Sequence, residues 1–267
     1  MEINRNNINE LVNKCNVRPD KDYGQNFLVD PFIAERIVAS LNVKKEDAVL
    51  EIGPGLGSLT HYLANNCNLD VCDIDSRMID FLKIFYKEEI NYILNDVRKI
   101  DVSKYDKIIG NLPYNITTEL VTFLLMNSSA SLMVLMCQSE AFNRFFDLKG
   151  ENYGPVSVLL HLLGRSEKVL TVKPGSFYPA PKCNSLVFVF NRDEKCSKDE
   201  VIEVYKMCKS LFLNRRKTIQ NNLKSYLKNS ELINKILKEL NITPNTRPDA
   251  ISPDQYLAMY KLIIKNK

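Results

Sequence analysis

The sequence predicts an α/β protein in two parts, a mostly parallel sheet with crossover helices followed by a small all-helical domain. Three observations carry this. A buried-strand pattern, Ala48-Val49-Leu50-Glu51-Ile52, runs into Gly53-Pro54-Gly55-Leu56-Gly57-Ser58 and then a helix-like Leu59 to Ala64. That is the first strand–loop–helix of a nucleotide-binding sheet, where glycines let the backbone approach a ligand closely. Short apolar runs then recur between helical stretches as far as Phe190. After Asn191 strand signals stop and only helical periodicity remains. The 267 residues suffice for a large domain over 1–190 and a small one over 191–267.

Charge is distributed along the same division. Residues 191–267 carry 16 Lys and Arg against 9 Asp and Glu, a net +7, whereas residues 1–190 carry 20 against 23, a net −3. A near-neutral body with a basic tail suits a polyanionic partner such as nucleic acid, although a solvated basic helical surface has the same composition. The seven cysteines (Cys15, Cys67, Cys72, Cys137, Cys183, Cys196, Cys208) are odd in number and form no Cys-x-x-Cys pair. With only His61 and His161 beside them no zinc-ligand spacing emerges, so reduced thiols and no metal are expected. The amino terminus has no apolar signal core, and Glu2 and Glu10 are foreign to an Arg-rich transit peptide. A cytoplasmic, membrane-free monomer is expected.

The elements follow in order. Ile8, Leu11 and Val12 mark a short polar helix ending near Pro19. The turn Gly24-Gln25-Asn26 precedes Phe27 and Leu28, and Asp30-Pro31 then supplies an N-cap and a first-position proline for a helix over 32–41. In the glycine loop the third glycine, Gly57, comes one residue earlier than a dinucleotide fingerprint requires. With Glu51 before it, this spacing suits S-adenosylmethionine better than NAD, since there is no pyrophosphate to cradle. A second strand, Leu69 to Asp73, places the Asp73 carboxylate where both ribose hydroxyls can be accepted; Asp73 or Asp75 could instead cap the next helix. A third strand, Tyr92 to Leu94, leads to Asn95-Asp96-Val97, where Asp96 could accept from an adenine amino group and Val97 offer its N–H; an exposed turn aspartate is the alternative.

The fourth strand, Lys107 to Gly110, delivers Asn111-Leu112-Pro113-Tyr114 ahead of a helix over 117–126. An amide, a stiff turn and an aromatic ring thus stand at the carboxyl end of a strand, the edge at which open α/β sheets bind ligands. Amide and carbonyl oxygens there can accept N–H bonds from an amino group on a flat ring, and Tyr114 can stack on that ring. A plain strand–turn–helix connection is the alternative. A fifth strand, Leu132 to Cys137, and an apolar helical segment, Val156 to Leu163, come next; its His161 reads as a core or boundary histidine. Strands 168–172 and 186–190 flank Phe177-Tyr178-Pro179-Ala180-Pro181-Lys182, held extended by its prolines. Phe177 facing Tyr114 would make an aromatic clamp; a core phenylalanine under the loop is the alternative. In the tail, helices over 199–213, 215–228, 231–240 and 253–264 are expected. The second opens on Arg215-Arg216-Lys217, a charge that disfavours a helix start and so favours a phosphate partner.

The ordered set GQNFL (24–28), LEIGPGLGSLT (50–60), CDID (72–75), NDV (95–97), GNLPYNI (110–116), YGPVSV (153–158), FYPAPK (177–182), RRKTIQNNL (215–223) and RPDAIS (247–252) resembles the ribosomal RNA adenine dimethyltransferase family. It is most similar to the branch acting on small-subunit RNA and known through kasugamycin resistance. The resemblance spans nearly the whole chain. It implies a Rossmann-like class I S-adenosylmethionine-dependent methyltransferase sheet, structured ribosomal RNA of the small subunit as partner, and N6,N6-dimethylation of adenosines.

Residue by residue, the resemblance gives Asn26, Leu28, Gly53, Gly55, Asp73, Asp96, Val97 and Asn111 to the cofactor. It gives Asn111, Leu112, Pro113, Tyr114 and Phe177 to the reacting base, and Arg215, Arg216 and Lys217 to RNA. Asp73 stands where the family usually has Glu, Pro155 where a basic residue is common, His161 where Gln is usual and Asn184 where Asp is usual. The large-subunit, macrolide-resistance branch and an RNA-binding assembly factor with secondary catalysis are the rival readings.

Overall fold

Two properties of the chain build the main sheet: apolar strands buried on both faces, and helices long enough to cross over between them. The computed structural model describes residues 2–14, 17, 19–20, 24–87 and 90–266; Cys15 lies outside these. The strands are β1 (Phe27–Leu28), β2 (Ala48–Ile52), β3 (Asn68–Asp73), β4 (Asn91–Leu94), β5 (Lys107–Asn111), β6 (Leu132–Gln138), β7 (Gly164–Val172), β8 (Phe177–Tyr178) and β9 (Ser185–Arg192). The helices are α1 (Ile8–Lys14), α2 (Pro31–Ala39), α3 (Thr60–Leu63), α4 (Ser76–Tyr86), α5 (Thr117–Asn127), α6 (Ser139–Phe146), α7 (Pro155–Leu163), α8 (Lys198–Phe212), α9 (Ile219–Leu227), α10 (Ser230–Glu239) and α11 (Pro253–Lys265).

Seven strands form one sheet in the order β4-β3-β2-β5-β6-β9-β7. The first five are mutually parallel, and β9 pairs antiparallel with β6. Strand order runs outward one way from β2 through β3 to β4 and the other way from β5 to β6. The reversal leaves a crevice at the carboxyl ends of β2 and β5, the usual ligand site of an open α/β sheet. At this join Gly110 is required by the close approach of the two backbones: a Cβ there would lie 2.6 Å from the Ile52 carbonyl oxygen. A two-residue ribbon, β1 with β8, stands apart from the sheet in register Phe27 to Tyr178 and Leu28 to Phe177.

The helix signals operate as the residues suggest. Asp30 caps α2 by accepting from the Ile33 N–H at 3.3 Å, with Pro31 in the first turn. Asp75 caps α4, accepting from the Arg77 N–H at 3.0 Å, which leaves Asp73 free of that duty.

The chain forms two compact units, Met1–Ala141 with Ser166–Arg192, and Phe142–Arg165 with Asp193–Lys267. This differs from the single cut near residue 191, because residues 142–165 group with the tail. The physical reason is α7, in which seven of nine residues (Val156, Ser157, Val158, Leu159, Leu160, Leu162 and Leu163) are buried. A helix apolar on nearly every face must be surrounded, and α8 and α11 pack against it. Tyr153, Phe212 and Tyr256 form an aromatic chain in this second unit, with ring centroids 5.7 and 6.0 Å apart. A further correction concerns the basic stretch: α9 begins at Ile219 behind the N-cap Thr218, so Arg215, Arg216 and Lys217 lie in the turn before the helix. Among the described residues the six cysteines are free thiols, and no helix is long and apolar enough to cross a membrane.

Candidate functional site

The crevice between β2 and β5 opens into a solvent-open cleft at the carboxyl ends of these strands. Its walls are residues 24–28, Glu51, residues 53–56, Ser58, Leu59, Asp73, Ile74 and residues 111–114. Of the residues expected at a cofactor or a target base, it gathers Asn26, Leu28, Gly53, Gly55, Asp73, Asn111, Leu112, Pro113 and Tyr114.

Local chemistry explains the arrangement. Gly53 and Gly55 have φ of +64° and +54°, and a Cβ on Gly55 would meet the Phe27 ring at 2.9 Å. Only glycine serves at Gly55, so the loop lies tight against residues 24–28. That segment is tied down on three sides. Ser58 Oγ–H donates to the Leu28 carbonyl, Gln25 Nε2 donates to Asp75 Oδ2 at 2.9 Å, and Asn111 Nδ2 donates to the Asn26 carbonyl at 3.0 Å. The last bond fixes which way the Asn111 amide points. Its other end, Oδ1, is buried and has no hydrogen-bond partner. A buried acceptor without a donor costs about 1–3 kcal/mol, so this atom calls for an explanation.

Two carboxyl groups reach the cleft, and among the described residues no lysine, arginine or histidine lines it. Burial pushes Glu51, 1% exposed, up to about 8, although the Thr60 hydroxyl donates to it at 2.7 Å. Burial likewise lifts Asp73 to about 6, partly offset by N–H groups of Asp75, Ile74 and Gly55. Both acids are desolvated, and among the described residues no cation stands beside them. Among the described residues this lining offers no cation to a dinucleotide's pyrophosphate, and its carboxyls and amide suit S-adenosylmethionine, which brings an ammonium, a sulfonium and ribose hydroxyls.

Three expected residues are not brought to this cleft. Phe177 is 4% exposed, pairs with Leu28 in the ribbon and sits in the hydrophobic core, so it does not line the cleft as the expected clamp opposite Tyr114 required. Val97 is buried too. Asp96 caps the short turn 97–99 and holds the Arg98 guanidinium through both carboxylate oxygens, an ion pair that keeps its carboxyl below the usual range. Both follow β4, the edge strand, which β3 separates from the crevice at β2 and β5. Sequence reasoning also missed Ile74, half exposed between two acids at the end of β3. It lines this cleft and a shallower one shared with Leu94, Asp75 and Arg77. The available signal was an isoleucine set between two acids, Asp73 and Asp75, just past the end of a strand.

With this geometry in view, comparison decides the lineage. The model of the ribosomal RNA adenine dimethylase family matches residues 12–265. The chain belongs to that family. It is 35% identical over 261 residues, 95% of each chain, to the ribosomal RNA small subunit methyltransferase A of Malacoplasma penetrans. Its fold is similar to a dimethyladenosine transferase of Plasmodium falciparum (TM-score 0.75, 25% identity, covering 90% of this chain and 96% of that one). It is also similar to the 23S rRNA methyltransferase ErmE (TM-score 0.71, 21% identity, 90% and 100% covered). The chain is an enzyme of this family and uses S-adenosylmethionine.

The family's basic stretch divides in two within the second unit. Arg215 points inward: its Nη2 donates to the Gly150 carbonyl, its Nε donates to Asp249 Oδ2 at 3.3 Å, and its guanidinium lies 5.9 Å from the Phe212 ring centroid. The Gly150 N–H closes the knot by donating to the Asp249 carbonyl at 2.9 Å. Arg216 and Lys217 are exposed, beside Leu213, which is 81% exposed. Of three residues expected to meet RNA together, one fastens the corner and two face solvent.

Proposed function

We propose that the protein transfers two methyl groups from S-adenosylmethionine to the exocyclic N6 of adenosines in small-subunit ribosomal RNA. The observation that carries this is the buried, unpartnered Oδ1 of Asn111 at the cleft. When bound, S-adenosylmethionine supplies an electrophilic methyl on its sulfonium. The chain needs no covalent nucleophile of its own. Asn111 Oδ1 and the Leu112 carbonyl accept N–H bonds from the adenine amine, favouring the pyramidal nitrogen of the transition state over the flat, delocalised one of the ground state. Tyr114 stacks on the base and aims it, and alignment of this kind can lower a barrier by ~7–11 kcal/mol. Pro113 stiffens the turn that carries both groups. The adenine must be unpaired or flipped to enter.

At the other end of the cleft Asp73 accepts the ribose hydroxyls, and Gly53 and Gly55 leave the backbone open beneath the methionine part. Asn26 and Leu28 cover it. Ile74 and Leu94 offer apolar faces to the adenine of the cofactor; Asp96, despite Arg98, keeps lone pairs for its amino group next to the Val97 N–H. Arg216 and Lys217 contact RNA phosphates. The working form is a monomer in the cytoplasm.

Labelled methyl transfer to unmethylated small subunits, large subunits and protein-free RNA, followed by nucleoside analysis, tests the reading. Dimethyladenosine is expected with small subunits alone. Label confined to large-subunit RNA would overturn the choice of substrate.

A further inference from the structure

We infer that Ser185 is a positioning residue for methyl transfer, its hydroxyl setting the angle at which the Tyr114 ring receives the target base. The inference rests on the proposed stacking role of Tyr114. Ser185 is fully buried, opens β9, and stands opposite Gln138 at the carboxyl end of β6. Just before it, the Asn184 carbonyl accepts from both the N–H and the hydroxyl of Ser139, at 3.1 and 2.8 Å. The Ser185 Cα is therefore held by backbone bonds on both sides. The tetrapeptide turn is docked on the same strand, since the Leu112 N–H donates to the Met136 carbonyl at 3.0 Å. Strand β6 thus fixes the origin of both side chains.

Between them runs one hydrogen bond, Tyr114 Oη to Ser185 Oγ, at 2.7 Å. Burial pushes the Tyr114 phenol up, so it remains neutral and the contact is an ordinary hydroxyl–hydroxyl bond. Its mechanical effect is large because it grips the far end of the ring. The near end is already set: the Thr117 hydroxyl donates to the Pro113 carbonyl at 2.8 Å and closes the turn behind Tyr114. With both ends fixed, swing and tilt of the ring plane are removed before the base arrives. A stacked base inherits that plane, and in-line transfer is sensitive to it. If Ser185 were only a small residue fitted under the loop, losing its hydroxyl would leave turnover alone.

Four proteins test this: the wild type, Ser185→Ala, Tyr114→Phe and the double variant, each assayed for methyl transfer to small subunits. Cofactor affinity is measured by calorimetry and folding by thermal melting. Ser185→Ala is expected to lower kcat about tenfold, with cofactor affinity unchanged. Tyr114→Phe deletes the same bond from the other partner and should lose a similar factor. Because both act through one bond, the double variant should be no slower than Tyr114→Phe. Losses that multiply in the double variant, or wild-type kcat in either single one, would overturn the inference. Tyr114→Phe leaves β9 untouched, so its result stands even if Ser185→Ala folds poorly. A Tyr114→Ala control separates the two levels. Wild-type turnover there would sink the stacking role itself, whereas an inactive Tyr114→Ala with multiplying losses would sink only the part given to Ser185.

Discussion

The cleft and the basic corner present opposite solutions to holding a ligand. The cleft, built on residues 24–28, 53–58, 73–74 and 111–114, carries two desolvated carboxyls, no cationic side chain among the described residues, and one orphaned acceptor. Segment 24–28 and the Asn111 amide are tied by hydrogen bonds to Ser58, Asp75 and one another. The corner at 213–217 is the reverse, with Arg216, Lys217 and Leu213 exposed and only Arg215 fastened. Preorganised dipoles serve chemistry, where a misplaced atom costs orders of magnitude. Exposed cations serve a polyanion, where affinity comes from counterion release and tolerates loose geometry.

The sharpest break of this contrast is at Asn111. Asn111→Ala should lower kcat by about 10²–10³-fold while cofactor affinity weakens only modestly, read by single-turnover transfer beside calorimetry. Next comes Glu51. Its carboxyl is raised in the folded state, from 4.5 to about 8, so its contribution to stability is full below about 4.5 and is lost as pH rises through about 8. Glu51→Gln should flatten that fall, worth on the order of a few kcal/mol, in urea unfolding followed between pH 5 and pH 8. A smaller loss is expected of Gly55→Ala, whose methyl would meet the Phe27 ring at 2.9 Å on a backbone with φ +54°. About 1–3 kcal/mol of stability should go, with weaker cofactor binding, by thermal melting and calorimetry. At the corner, Arg216→Ala with Lys217→Ala should reduce the salt slope of small-subunit binding by about 2, without changing cofactor affinity. Arg215→Ala should lower the melting temperature and leave that slope nearly unaltered.

Much of the cleft was legible in the sequence because its parts are local. A strand running into Gly53–Gly57, an acid ending β3, and Asn111–Tyr114 at the end of β5 each declare themselves within ten residues. The ribbon of β1 with β8 did not, since two-residue strands have no periodicity and their partners lie 150 residues apart. For the same reason Phe177 was expected at the base: its pairing with Leu28 and its place in the core show only in the folded chain. Arg215 could not be told from Arg216 by type or spacing. What separates them is Asp249 and the Gly150 carbonyl, brought close by the folding of residues 142–165 with the tail.

The claim beneath the whole contrast is that charge is sorted, a cleft without cations among the described residues for a sulfonium cofactor and a cationic corner for RNA. Titration of the wild type with S-adenosylmethionine and with NAD, side by side in a calorimeter at neutral pH, tests it most directly. Saturable one-to-one binding of S-adenosylmethionine with no binding heat from NAD is the predicted result. Saturable NAD binding that S-adenosylmethionine fails to displace would contradict it.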